Sequence, residues 1–143
     1  MTARPFRLTP PELGEQDLHE NVAALCRHFV APPAAWAFYP AGGVQLAPFQ
    51  AAKLARMGLQ RGWPDFIFIN DTRVFGIELK ARQGRLSKTR IVRTRRGSPR
   101  ILEGQEDVFP RLEAAGMTIA VCRDIDSVLA QLAAWGLPLR GRA

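Results

Sequence analysis

A chain of 143 residues and 15.9 kDa is the size of one domain, and chains of this length bury roughly 68–70% of their extended surface, enough for a core without disulfide staples. A composition of 47% hydrophobic and 23% charged residues excludes a disordered chain, and the lack of any apolar run of about 18 residues argues against a membrane span. Twenty basic against thirteen acidic side chains leave +7 at pH 7 and a pI near 10.7, which points to a polyanionic partner, nucleic acid foremost.

Residues 1–8 read as a loose N-terminal arm with no secretory leader, and residues 9–143 as the domain. Thr9-Pro10-Pro11-Glu12 matches a capping box with Pro at the first helical position. Leu18, Val22, Leu25 and Phe29 keep helical spacing, so a helix is expected to run to about Phe29 and to stop before Pro32-Pro33. Residues 36–39 form a short strand candidate, closed by Pro40-Ala41-Gly42-Gly43, a turn open enough for a phosphate chain or simply a turn. Residues 49–57 read as a short helix that Gly58 stops. Residues 65–70 and 73–81 read as two strands joined by a tight turn at Asp71-Thr72. Residues 104–115 read as a helix ending at Gly116, with Pro110 set to shift its start or kink it. Residues 117–123 are an apolar strand, and 125–135 a last helix closed by Gly136 and Pro138, with Trp135 packed on the sheet. Helices alternating with apolar strands predict an α/β layered fold. Cys26 and Cys122 are too few for a disulfide scaffold and lack metal spacing. They read as buried small hydrophobes in a reducing, cytoplasmic compartment.

The positive charge is concentrated. Lys80, Arg82, Arg85, Lys88, Arg90, Arg93, Arg95, Arg96 and Arg100 fall within residues 80–100 with no acid among them, leaving eleven basic against thirteen acidic side chains elsewhere. Such density repels itself unless a polyanion neutralises it; a solvated loop is the alternative. Short β segments on either side of Arg96-Gly97-Ser98-Pro99 predict a basic hairpin able to lie along phosphates. Lys53 and Arg61 are further candidates for phosphate contact.

The chemistry centres on Gly62-Trp63-Pro64-Asp65-Phe66 and on Ile77-Glu78-Leu79-Lys80-Ala81. Strand alternation puts Glu78 and Lys80 on one face, roughly 6.6 Å apart along the strand, and Leu79 on the other. Asp65 lies six or seven residues before the expected turn and Glu78 six or seven after it, so a hairpin brings them to the same open end. Two carboxylates and a lysine suit a hard divalent cation, which takes oxygen ligands and keeps several waters. Lys80 is then placed to steady a water or developing phosphoryl charge. A plain ion pair of Lys80 with Glu78 or Asp65 is the alternative. Trp63 reads either as a base-stacking platform or as a packed strand-edge residue.

Pro64-Asp65, twelve intervening residues and Glu78-Leu79-Lys80 resemble the signature of the PD-(D/E)xK nuclease superfamily. Met57-Gly58, Gly62-Trp63-Pro64-Asp65-Phe66, Ile77-Glu78-Leu79-Lys80-Ala81 and Gly84-Arg85-Leu86-Ser87 narrow the resemblance to the VRR-type (virus-type replication-repair) nuclease domain, over residues 15–132. The resemblance implies a restriction-endonuclease-like fold, a central mixed sheet flanked by helices, here with an inserted basic β-hairpin at 88–103. It implies a Mg²⁺- or Mn²⁺-dependent deoxyribonuclease without a small-molecule cofactor, acting on branched DNA of the Holliday-junction or flap type. A homodimer and a phage or prophage replication or repair setting are implied with it. Metal ligation is implied for Asp65, Glu78 and the Leu79 backbone carbonyl, and assistance to the attacking water for Lys80. The family also carries an acid on its first helix. With Leu18 at 0° and 100° per residue, Glu15 falls at about +60°, beside the apolar stripe, and Glu20 at about 200°, away from it. Glu15 is therefore the expected second metal ligand or water-orienting acid, and His19, four residues on, a candidate phosphate contact. Where the family's glutamine is expected this chain has Arg90; Gln105, eleven residues before Gly116, is its expected counterpart, orienting a phosphate or Glu15. Arg85, Lys88, Arg90, Arg93, Arg95 and Arg96 are expected on the nucleic acid. A nuclease for simple DNA ends and a non-catalytic DNA-binding module are the other readings.

Overall fold

The apolar stripe of the first helix packs as expected: α1 (Glu15–Phe29) buries Leu18, Val22, Leu25 and Cys26. The structure, a computed structural model, describes residues 14–40, 47–93, 95 and 97–141. The expected N-terminal arm, the Thr9 capping box, the Ala41-Gly42-Gly43 turn, Arg96 and the side chain of Glu15 lie outside the described residues. The described helix opens at Gly14, whose carbonyl accepts from the Leu18 amide at 3.0 Å.

β1 (Ala35–Phe38) is followed by α2 (Pro48–Arg56), which starts on its proline and buries none of its residues. β2 (Phe66–Asn70) and β3 (Arg73–Leu79) form the expected hairpin, paired Phe66 to Ile77 and Asn70 to Arg73. Asp71 and Thr72 both adopt positive φ, 49° and 63°, the twist that a two-residue connection demands. β4 (Arg90–Val92) and β5 (Arg100–Leu102) pair as a separate antiparallel ribbon, the hairpin expected around Arg96-Gly97-Ser98-Pro99. α3 (Gln105–Ala114) leads to β6 (Met117–Cys122) and then α4 (Ile125–Ala134). The Asp124 side chain caps α4 by accepting from the Ser127 amide at 2.7 Å.

The main sheet has the order β1-β2-β3-β6, antiparallel except for the parallel pairing of β3 with β6. It is a central mixed sheet with helices packed on it. Phe66, Phe68, Phe75, Ile77, Leu79 and Cys122 point to the face covered by α1 and α4, with Val128 and Leu132 of α4 fully buried there. Trp135 stacks on Phe75 at 4.7 Å between centroids, as its expected packing role requires. α3 lies against the opposite face near β6, where Val108, Phe109 and Met117 are buried.

The described element ends fall within one residue of the sequence reading except at one strand, which is shorter. The strand expected at 73–81 ends at Leu79, because after a last bond from the Lys80 amide to the Cys122 carbonyl the chain folds into a turn closed by Gly84 and Ala81. Pro110 neither starts nor ends α3. It sits inside the helix at an exposed position, where water can take the carbonyl left without its donor. Among the described residues no helix is long and apolar enough to cross a membrane.

Candidate active site

Why Asp65 stands where it does follows from its neighbours. Pro64 is fully buried, and its ring lies over Gly76 of β3 so closely that a Cβ there would meet Pro64 Cγ at 2.7 Å and Met117 Sδ at 3.0 Å. Gly62, at φ +79°, turns the chain beneath Val108, where a Cβ would stand 2.9 Å from Val108 Cγ2. Two glycines thus let the Trp63-Pro64 segment press onto the sheet and deliver Asp65 at the mouth of β2. Trp63, half-buried, stacks on Tyr39 at 5.2 Å, and the Tyr39 hydroxyl accepts from the Gln60 amide at 3.0 Å.

The β2–β3 register, carried one step beyond Phe66 and Ile77, sets Asp65 opposite Glu78. Both are buried, at 8% and 2% exposure. Asp65 Oδ2 accepts from the Leu79 amide at 2.8 Å and lies 3.6 Å from His19 Nε2. His19 reaches it from α1, packed between the rings of Phe38 and Phe66. The structure therefore sets His19 beside a carboxylate and two aromatic rings. Glu78 Oε1 accepts from Lys80 Nζ at 3.0 Å and from Gln105 Nε2 at 2.5 Å. Glu78 Oε2 is buried and, among the described residues, has no hydrogen-bond partner. Burial first, and then the Asp65 charge, push the Glu78 carboxyl up to about 7 against the opposing pull of Gln105 and Lys80.

Gln105 is the first residue of α3 and is buried. Besides donating to Glu78, its side chain accepts from the Ser87 amide at 3.1 Å, and its own amide donates to Ser87 Oγ at 3.0 Å. Gln105 thus holds Glu78 and Ser87 in one motif. Leu79 has its side chain in the core, on the face away from Glu78, as alternation requires. Glu15 begins α1, the helix that also carries His19. Lys53, Arg61, Arg85, Lys88, Arg90, Arg93 and Arg95 are all exposed, on α2, on the turn before Gly62, on the loop after Lys80 and on the ribbon. Among the described residues, no hydrogen bond or ion pair joins any of them to Asp65 or Glu78.

Sequence reasoning missed Arg123. Its Nη1 donates to the carbonyls of Ala81 and Gly84 at 2.7 Å each and of Arg82 at 3.3 Å, clamping the loop that leaves Lys80. Thr89 was missed as well: its hydroxyl accepts from the Gly104 amide at 3.0 Å and donates to Asp107. A hydrogen-bonded tie of this kind has no sequence spacing to betray it.

Among the described residues no three His, Cys, Asp or Glu side chains converge as a metal cage. Two buried carboxylates, one with a buried oxygen that has no donor among the described residues, nevertheless suit a hard cation that keeps part of its water shell and takes further oxygens from a phosphate. Searches against models of protein families, curated proteins and solved structures return no match for this chain.

Proposed function

We propose that this chain is a divalent-metal-dependent nuclease that hydrolyses DNA phosphodiester bonds on a restriction-endonuclease-like fold. The observation that carries the reading is the buried Glu78 Oε2, without a hydrogen-bond partner among the described residues and set across the hairpin from Asp65, with Lys80 Nζ 3.0 Å from the other Glu78 oxygen. A buried carboxylate pair raises the free energy of the empty fold. Such an arrangement is explained by a cation that both acids recognise.

Asp65 and Glu78 would hold Mg²⁺ or Mn²⁺, with Glu15 and the Leu79 carbonyl as the candidates to complete the protein's share. A bound cation supplies Lewis-acid charge to the phosphoryl group and makes water a better nucleophile. Lys80 orients the attacking water and offsets charge that develops on the phosphoryl oxygens. Water adds to phosphorus, one P–O ester bond breaks, and the leaving oxygen takes a proton. Gln105 fixes the Glu78 rotamer, and His19 fixes Asp65 from the other side. Branched DNA is the proposed substrate, and a two-fold dimer would present two such sites to a four-way junction.

A second reading is a DNA-binding module without catalysis, which the exposed basic ribbon would serve equally. One experiment separates the two. The protein and Lys80→Ala are incubated with a labelled four-way junction and a matched linear duplex in Mg²⁺, Mn²⁺ and EDTA. Metal-dependent cutting that falls by about 10²–10³ in the variant supports the nuclease, and the preferred substrate separates junction from simple-end activity. Binding without cutting, equal in both proteins, overturns it.

A further inference from the structure

The β4–β5 ribbon has a feature that its charge does not explain. Ile91 and Ile101 are direct cross-strand partners, so their side chains stand together on one face, and they are 66% and 68% exposed. Neither belongs to the core. The register puts Arg90, Val92, Arg100 and Leu102 on the other face, with Val92 and Leu102 half-buried. The ribbon is thus two-sided, with an apolar pair on one side and arginines on the other and toward the tip, where Arg93 and Arg95 are exposed.

We infer that the ribbon seats in the major groove of duplex DNA, with the Ile91–Ile101 pair against the base edges and the arginines folded over the ribbon edges onto the flanking phosphates. Dimensions support this. Two strands about 4.8 Å apart, with side chains, fill a groove of about 12 Å, and a two-stranded ribbon is one of the elements that groove admits. The minor groove, about 6 Å wide, is too narrow, and the deep, narrow major groove of duplex RNA excludes it too. An apolar pair at the groove floor finds the thymine 5-methyl group, the apolar feature a base pair presents there. Charge decides between occupants. Residues 88–102 carry Lys88, Arg90, Arg93, Arg95, Arg96 and Arg100 and no acid, so a second copy of the ribbon would be repelled, whereas phosphates on both sides would be attracted.

The root of the ribbon fixes where such a duplex lies. The Ser87 carbonyl accepts from the Glu106 amide at 3.1 Å, and Ser87 and Thr89 hold Gln105 and Gly104. Gln105 is the residue that touches Glu78, so a duplex held by the ribbon runs beside the carboxylates. The groove contact rests on the ribbon and not on the nuclease reading. An inactive protein that binds as described would overturn only the latter.

The test measures affinity of the full chain in EDTA, across a range of salt, for a duplex DNA, the same duplex with uracil for thymine, a duplex RNA and anionic phospholipid vesicles. Ile91→Thr/Ile101→Thr keeps β-branching and so keeps the ribbon paired. It is expected to lower DNA affinity about tenfold with the slope of log K against log[salt] unchanged. Uracil is expected to weaken the unsubstituted protein about threefold and the variant less, since each Thr keeps only one methyl. Arg90→Ala/Arg100→Ala is expected to reduce the slope by about two. Duplex RNA should bind more weakly than DNA. Unchanged affinity in the Ile variant, indifference to uracil, equal affinity for RNA, tighter binding to vesicles, or loss of a dimer on Ile substitution would each overturn the groove contact, the last in favour of self-association.

Discussion

The carboxylate site and the ribbon are built on opposite principles. Asp65 and Glu78 belong to a hairpin whose other face buries Phe66, Phe68, Ile77 and Leu79 against two helices. The ribbon is three residues of strand on each side, keeps its isoleucines in solvent, and hangs from a root of hydrogen bonds at the start of α3. An isolated two-stranded ribbon is marginal in water. Chemistry at a phosphorus atom needs groups fixed to a fraction of an ångström, which a packed core supplies. Following a groove needs reach and adaptability, which a ribbon supplies.

The largest effect should come from breaking the first of these regions at its core. Phe68 is fully buried, and Phe68→Ala should cost about 3–5 kcal/mol in denaturant unfolding. Ile101→Ala, on a side chain of similar apolar character, should change stability by no more than about 0.5 kcal/mol. A loss at Ile101 comparable to that at Phe68 would mean that the ribbon packs on the body, and the contrast would fall.

The second prediction uses pH. Glu78 titrates near 7 in the folded chain, raised from an ordinary 4.5 by burial and by Asp65. Folding therefore favours its protonated form. The full stability is present below about 4.5, is lost as pH rises through about 7, and the loss then levels off. In EDTA, Glu78→Gln should thus gain on the unsubstituted protein between pH 4.5 and pH 7 by about 3 kcal/mol at most. Thermal or urea unfolding across that range measures it. A flat difference would mean that Glu78 is hydrated in the folded state.

How much of this was legible in the sequence divides along the same line. The hairpin that carries Asp65 and Glu78 could be read, because apolar runs on either side of Asp71-Thr72 mark both strands and counting from that turn sets their register. The ribbon could be read from Gly97-Ser98-Pro99 between β-branched segments, and its charge from simple counting. The contacts between the two regions could not. Gln105 meets Glu78 across 27 residues, and that meeting depends on how the ribbon closes onto α3. Gln105 was expected beside a phosphate or Glu15, and the structure shows its amide on Glu78 and Ser87. Arg123 acts through backbone carbonyls, which leave no trace in residue identity. The role of Gly76 appears only when Pro64 is seen lying on it.

The junction between the two regions can be opened by a single methyl group. A Cβ on Gly104 would stand 2.3 Å from the Lys88 carbonyl carbon, 2.4 Å from the Ser87 carbonyl oxygen and 2.6 Å from the Thr89 amide nitrogen. All three are backbone atoms, so the strand stub itself must move. The φ of Gly104, −96°, is open to alanine, so the cost is steric and not conformational. Gly104→Ala should lose about 2 kcal/mol and free the amides of Ser87 and Gln105 to exchange, while amides of β2 and β3 keep their protection. DNA affinity should fall with the ribbon unseated, and the Glu78 carboxyl should rise further once Gln105 no longer donates to it. If exchange quickens through β2 and β3 as well, root and core form one cooperative unit, and the division between a rigid site and a tethered ribbon does not describe this molecule.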